Sequence, residues 1–181
     1  MTPPSLYERI MGDSFARLAP AVQAFHRLAG RHHLEGLVQT QAPVNLAARL
    51  LARCLGAPGT SGSGPIRFEL DAGPEAETWT RHFPAKTMTS RLERVDARMV
   101  ENLGLARLTF ELQEAQGRLV MRLRHLRFLG IPCPRWLMPR IVAMESGDAD
   151  RLHFDVQASV PGIGLVTRYS GHLAVPSRAR P

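Results

Sequence analysis

Cysteine is almost missing from this sequence: there are two, Cys54 and Cys133, in 181 residues. Two are too few for a disulfide framework, and a chain this long buries enough surface not to need one. Lysine is scarcer still. Of the 23 basic residues, 22 are Arg, and the exception is Lys86. Arg codons are GC-rich, so base composition alone can produce this skew. The functional alternative is an anion site, because guanidinium binds carboxylate and phosphate bidentately. No stretch approaches the roughly 20 apolar residues of a membrane span. The opening MTPPSLYERIMGDSF has no basic segment leading into an apolar run, so no signal peptide is expected. These absences point to a soluble, cytoplasmic protein without a transmembrane segment.

Several functional signatures are missing too. The first 64 residues hold no strand–GxGxxG–helix unit, so no dinucleotide cofactor is expected. The formal net charge is +7, which permits attraction to nucleic acid or an anionic membrane. No zinc finger, phosphate loop or aromatic RNA motif accompanies it, so nucleic acid is not an expected partner. His26, His32 and His33 have no neighbouring Cys or carboxylate to complete a ligand set, and no metal is expected. The serines lack a Gly-x-Ser-x-Gly context, which argues against serine hydrolysis.

What is present is a change of period. Residues 5–29 carry apolar side chains at helical spacing, with Pro20 placed to start a second helix. Residues 34–42 suit a short strand. Residues 44–55 form a stronger helix, rich in Ala and Leu, ended by Gly56, with Arg49 and Arg53 on one side. After Pro65 the alternation is two. It recurs at 66–70, 78–83, 88–95, 106–112, 119–123, 154–160 and 165–175, with a hairpin turn at Gln116–Gly117. Successive strands without long helices between them meander antiparallel. The expected class is α+β: N-terminal helices packed on a curved, mostly antiparallel sheet of about seven strands, a half-barrel. One domain, 1–176, is expected, helical over about 5–56 and sheet over about 65–175, with 177–181 as a disordered tail. The meander is interrupted by LGIPCPRWLMPR, 129–140, which its prolines keep from being a regular central strand.

In order along the chain stand LYERIMGDSF, Phe25-His26, Trp79-Thr80-Arg81-His82-Phe83, Ser90, Glu101…Gly104 and LGIPCPRWLMP. Phe154-Asp155-Val156, Pro161…Gly164 and Tyr169-Ser170-Gly171 close the series. This order, from about Leu6 to Leu173, resembles an uncharacterised bacterial family, domain of unknown function 4166. Asn102 departs from it, since Arg commonly follows that Glu. The family's domain also occurs at the C-terminal end of chains that begin with a saccharopine-dehydrogenase-like domain. The resemblance therefore implies a nicotinamide-dependent redox protein as a partner, and no established activity.

The residues themselves suggest a cavity between sheet and helices, a default ligand site. Trp79, Arg81 and Phe83 share one strand face. An Arg there either stacks on the aromatics at the sheet rim or grips a ligand's acid group. Trp136 sits in the Pro-rich insertion, either a hydrophobic plug or an apolar flap. Asp155, Arg168 and Tyr169 either pair across the sheet or form an acid/base group. His26 at a helix end reads as a capping side chain; a general base would need a carboxylate partner. Arg135 beside Cys133 is the sort of neighbour that lowers a thiol pKa. The leading expectation is a module that binds a hydrophobic or lipid-like ligand with an acidic group. Its binding residues would be Trp79, Arg81, Phe83, Trp136, Asp155, Arg168 and Tyr169. A cavity enzyme of isomerase, dehydratase or cyclase type and a docking domain for a redox partner are the alternatives.

Overall fold

The structure is a computed structural model that describes residues 3–176; the tail expected at 177–181 lies outside them. Three short helical pieces open the chain: α1 (Leu6–Met11), a 3-10 turn (Gly12–Arg17) and α2 (Pro20–His26). A capping box starts α1: Ser5 Oγ accepts the Glu8 N–H, and Glu8 accepts the Ser5 N–H at 2.9 Å. Glu8 also accepts from Arg27 Nε at 2.7 Å, which ties the end of α2 back to α1. The strands follow as β1 (Gly30–Gln41), β2 (Gly62–Ala72), β3 (Ala76–Phe83), β4 (Lys86–Val95), β5 (Arg98–Leu103) and β6 (Ala106–Ala115). The series closes with β7 (Arg118–Phe128), the two-residue β8 (Ile131–Pro132), β9 (Arg140–Asp148), β10 (Arg151–Val160) and β11 (Gly164–Ala174). Between β1 and β2 lies α3 (Leu46–Cys54), capped by Asn45, whose side chain accepts the Ala48 N–H at 2.9 Å.

All pairings are antiparallel, and the sheet closes on itself. β1 pairs with both β2 and β11, and β6 pairs with β7, so ten strands form a complete barrel with β8 as an eleventh piece on its side. The α+β half-barrel of about seven strands is thus incorrect. The strands do not lie as a sheet over a helical layer; they enclose the core themselves. Two strands escape the alternation for local reasons. In β5, Met99, Val100 and Glu101 are buried in succession, so period two is broken. In β9, Glu145 and Gly147 occupy positions of the same parity as Ala143. Register shifts between Thr109 and Phe110 and between Ala158 and Ser159 add the local bend that closure needs.

The barrel has two ends. At one, α1 and α2 plug the opening with Leu6, Tyr7, Val22, Phe25 and His26, all 2% exposed or less. α2 lies against β9 at Gly147, where an added Cβ would come within 2.8 Å of the Ala21 Cβ. At the other end stands α3, with Ala48 and Ala52 turned inward. At this end the wall is split. β7 pairs with β9 only from Leu119–Glu145 to Arg122–Val142. Beyond that, β7 turns to β8 at Arg127–Pro132 and Phe128–Ile131, and residues 129–139 fill the gap.

Candidate functional site

The inner wall of β3 carries Glu77, Trp79, Arg81 and Phe83, alternating inward and buried. Three of these four belong to a polar group beneath the helical plug. Trp79 Nε1 donates to Glu77 Oε2 at 2.8 Å. Arg81 donates to Ser90 Oγ at 3.1 Å, lies 3.8 Å from Glu101, and stacks over Trp79 at 5.0 Å and Phe68 at 5.8 Å. His26 Nε2 lies 2.6 Å from Glu145 Oε2, and the Tyr7 ring stacks on the imidazole at 3.6 Å between centroids. Burial, then the negative charges of Glu145, Glu77 and Glu101, raises the Tyr7 hydroxyl well above its ordinary value. Burial likewise raises the Glu77 carboxyl, against the opposing pull of His26 and the Trp79 N–H. Tyr7 Oη and His26 Nδ1 are buried without a hydrogen-bond partner among the described residues. Such groups cost about 1–3 kcal/mol each unless something unseen satisfies them.

Around Arg81 and Glu145 this cluster is closed. The void beside Arg81, Glu145 and Tyr169 measures about 40 Å³, room for a water or two. His26 does meet the carboxylate that a general base requires, but it is 2% exposed under the plug. Glu145 and Glu77 were not singled out by sequence reasoning. Their signal was parity: each is a charge at an inward position, in line with Ala143 and with Trp79.

The other expected site residues scatter. Tyr169 joins Trp79, Arg81 and Phe154 around the small void, and Phe83 packs edge-on against Tyr169 at 5.2 Å. Burial raises the Tyr169 hydroxyl above its ordinary value. Asp155 and Arg168 lie on the outer wall, paired with each other at 3.4 Å and half exposed. They cannot join Tyr169 in one acid/base group. Trp136 points to solvent, 77% exposed.

A second cavity lies at the α3 end. It measures about 200 Å³, between the inner faces of β6, β7, β9, β10 and β11. α3 roofs it with Leu51 and Leu55, and the insertion closes its side with Cys133, Leu137 and Pro139. Among the described residues, no charged one lines it. Burial pushes the Cys133 thiol up, opposite to the direction that a nearby Arg suggested. The insertion is therefore neither a simple plug nor a free flap: Leu137 turns inward to the cavity while Trp136 turns out.

A family model described as domain of unknown function, DUF4166, matches residues 18–173. The chain belongs to this family. The match runs from Leu18 before α2 to Leu173 in β11, so α1 of the plug precedes it. No curated protein matches the chain. Among solved structures, the crystal structure of Rv2717c from M. tuberculosis is similar, with a TM-score of 0.50 and 13% identity. The similarity covers 88% of this chain and 99% of that one. At that identity the likeness speaks to the fold alone. Among the described residues, no helix is long and apolar enough to cross a membrane.

Proposed function

We propose that this family member is a ligand-binding barrel whose ligand is a small apolar molecule, or the apolar part of a lipid-like molecule with an acidic group. The observation that carries this reading is the uncharged cavity of about 200 Å³ behind the split between β7 and β9. An apolar cavity of about 150 Å³ suffices to hold benzene and stays dry when empty. Each methylene buried there contributes about 0.8 kcal/mol, so about six would offset much of the cost of association. Ten strands also enclose more space than the eight whose side chains fill a barrel.

The acidic group belongs at the rim. Arg81 is a poor anchor for it, because Glu101 and Ser90 already occupy its guanidinium and only about 40 Å³ is free beside it. The insertion instead carries Arg135 and Arg140, both exposed, on either side of Leu137. An apolar fluorescent probe displaced by a medium-chain fatty acid tests the reading. Ala158→Phe, which fills the cavity from β10, and Leu137→Trp, which fills it from the insertion, are each expected to abolish probe binding. Unchanged binding in both folded variants overturns it.

A further inference from the structure

The two ends of the barrel differ in charge as sharply as in packing. Segments 42–61, 84–86, 104–107, 127–140 and 161–163 make up the α3 end, and they hold seven basic residues and no acidic one. The whole chain's formal excess is also +7. At the helical-plug end, segments 3–29, 73–75, 96–98, 115–118 and 148–151 hold six basic and six acidic residues. Among the described residues, Arg107 is the one α3-end cation with an acidic partner, Glu93 at 3.5 Å.

Exposed apolar side chains gather at the same place. Ten large ones are exposed among the described residues. Val44, Leu46 and Leu50 stand on or before α3, Leu105 in the β5–β6 turn, and Leu129, Ile131 and Trp136 in the insertion. On α3 the outer stripe reads Leu46, Arg49, Leu50 and Arg53, at positions one turn apart, while Ala48, Leu51, Ala52 and Leu55 turn toward the barrel. Next to this stripe is a groove of about 640 Å³ that contains Arg49, Arg53 and Lys86 in its walls and, among the described residues, no acidic one.

We propose that the α3 end is a docking face for an anionic lipid bilayer. Leu46, Leu50, Ile131 and Trp136 enter the headgroup boundary, and Arg49, Arg53, Lys86 and Arg135 meet the lipid phosphates. Interleaved Leu, Trp and Arg are the side chains of an interfacial surface. A nucleic-acid interface is polar and positively charged, and has no use for six exposed aliphatic side chains standing clear of any stacking platform. A protein partner would have to be uniformly acidic to match an end with no carboxylate. Neither the apolar patch nor the charge alone would hold the protein stably, but the two signals together would. This inference does not rest on the internal cavity, which Ala158→Phe fills without touching the surface.

The experiment is sedimentation of the full chain with vesicles of phosphatidylcholine, with and without added phosphatidylglycerol, alongside tryptophan emission. Trp79 is buried and Trp136 is exposed, so a change on binding reports Trp136, with Trp136→Phe as the control. Wild type is expected to sediment with anionic vesicles only, with a blue shift, and to be released by salt. Arg49→Gln with Arg53→Gln is expected to weaken binding about 30-fold, about a factor of five per charge. Leu46→Ser with Leu50→Ser is expected to remove the blue shift. Arg118→Gln with Arg151→Gln, which lowers net charge equally at the plug end, is expected to change affinity less than about threefold. No sedimentation overturns the proposal. So does equal loss in both Arg pairs, or retention on DNA or an acidic protein in place of vesicles.

Discussion

The helical-plug end of the barrel is filled and the α3 end is not. At the first, Tyr7, His26 and Trp79 stack, Phe25 packs edge-on against them, and the residual void beside them is about 40 Å³. At the second, a void of about 200 Å³ remains, although α3 and the insertion both cover it. The chemistry is inverted as well. Polar and ionisable groups lie inside at the plug and balanced charges outside. At α3 the inside is apolar and the outside is cationic and greasy. A single closed sheet thus carries an internally bonded end and an end with an unfilled apolar cavity. The polar cluster reads as the device that fixes the plug, because its members are buried and bonded to one another, and the void beside Arg81 and Glu145 admits nothing larger than water.

The largest effect expected from breaking this contrast is at the plug. His26→Leu leaves Glu145 buried beside an apolar side chain and is expected to cost about 3–5 kcal/mol in chemical denaturation. At the opposite end Leu46→Ala, on a side chain 79% exposed, is expected to stay within about 0.5 kcal/mol. Equal costs would erase the distinction between a packed and an unpacked end.

A pH titration of stability sharpens the picture of the cluster. The folded carboxyl of Glu77 is raised above its unfolded value, so the folded state holds the extra proton. Its contribution is fully present below the ordinary Glu value of 4.5 and is lost as pH rises through the raised one. Glu77→Gln keeps an oxygen to accept the Trp79 N–H and is expected to flatten that loss, leaving the variant more stable at neutral pH. A steeper loss in the variant would show that the Glu77 charge is compensated by more than His26 and Trp79.

Smaller still is Tyr7→Phe. The hydroxyl is buried with no partner among the described residues, so its removal is expected to be neutral or to stabilise by about 1 kcal/mol. A loss instead would reveal an ordered water or another partner on Tyr7 Oη.

Much of the fold was legible, and the failures have identifiable causes. The helix boundaries, the Gln116–Gly117 hairpin and the inward parity of Trp79, Arg81 and Phe83 follow from local pattern, which is what a sequence records. Closure was not legible. It depends on β1 meeting β11 and β7 meeting β9 across the insertion, pairings that no local period encodes. With β5 and β9 obscured by buried neighbours and inward charges, the strand count fell short, and a half-barrel resulted. Trp79, Arg81 and Phe83 do share one buried strand face. What the sequence could not show was that Glu101 and Ser90 already engage Arg81. Asp155 and Arg168 sit on the outer wall, and for Asp155 its alternation with the inward Phe154 and Val156 already carried that signal.

The most direct measurement is a chemical-shift titration of isotope-labelled protein with octanoate. Binding at the α3 end predicts shifts concentrated on Leu51, Leu108, Phe128, Leu137, Ile141 and Ala158, which line the larger cavity, with Tyr7, His26 and Trp79 silent. Shifts centred on Trp79 and Arg81, or none at saturating octanoate, would contradict it.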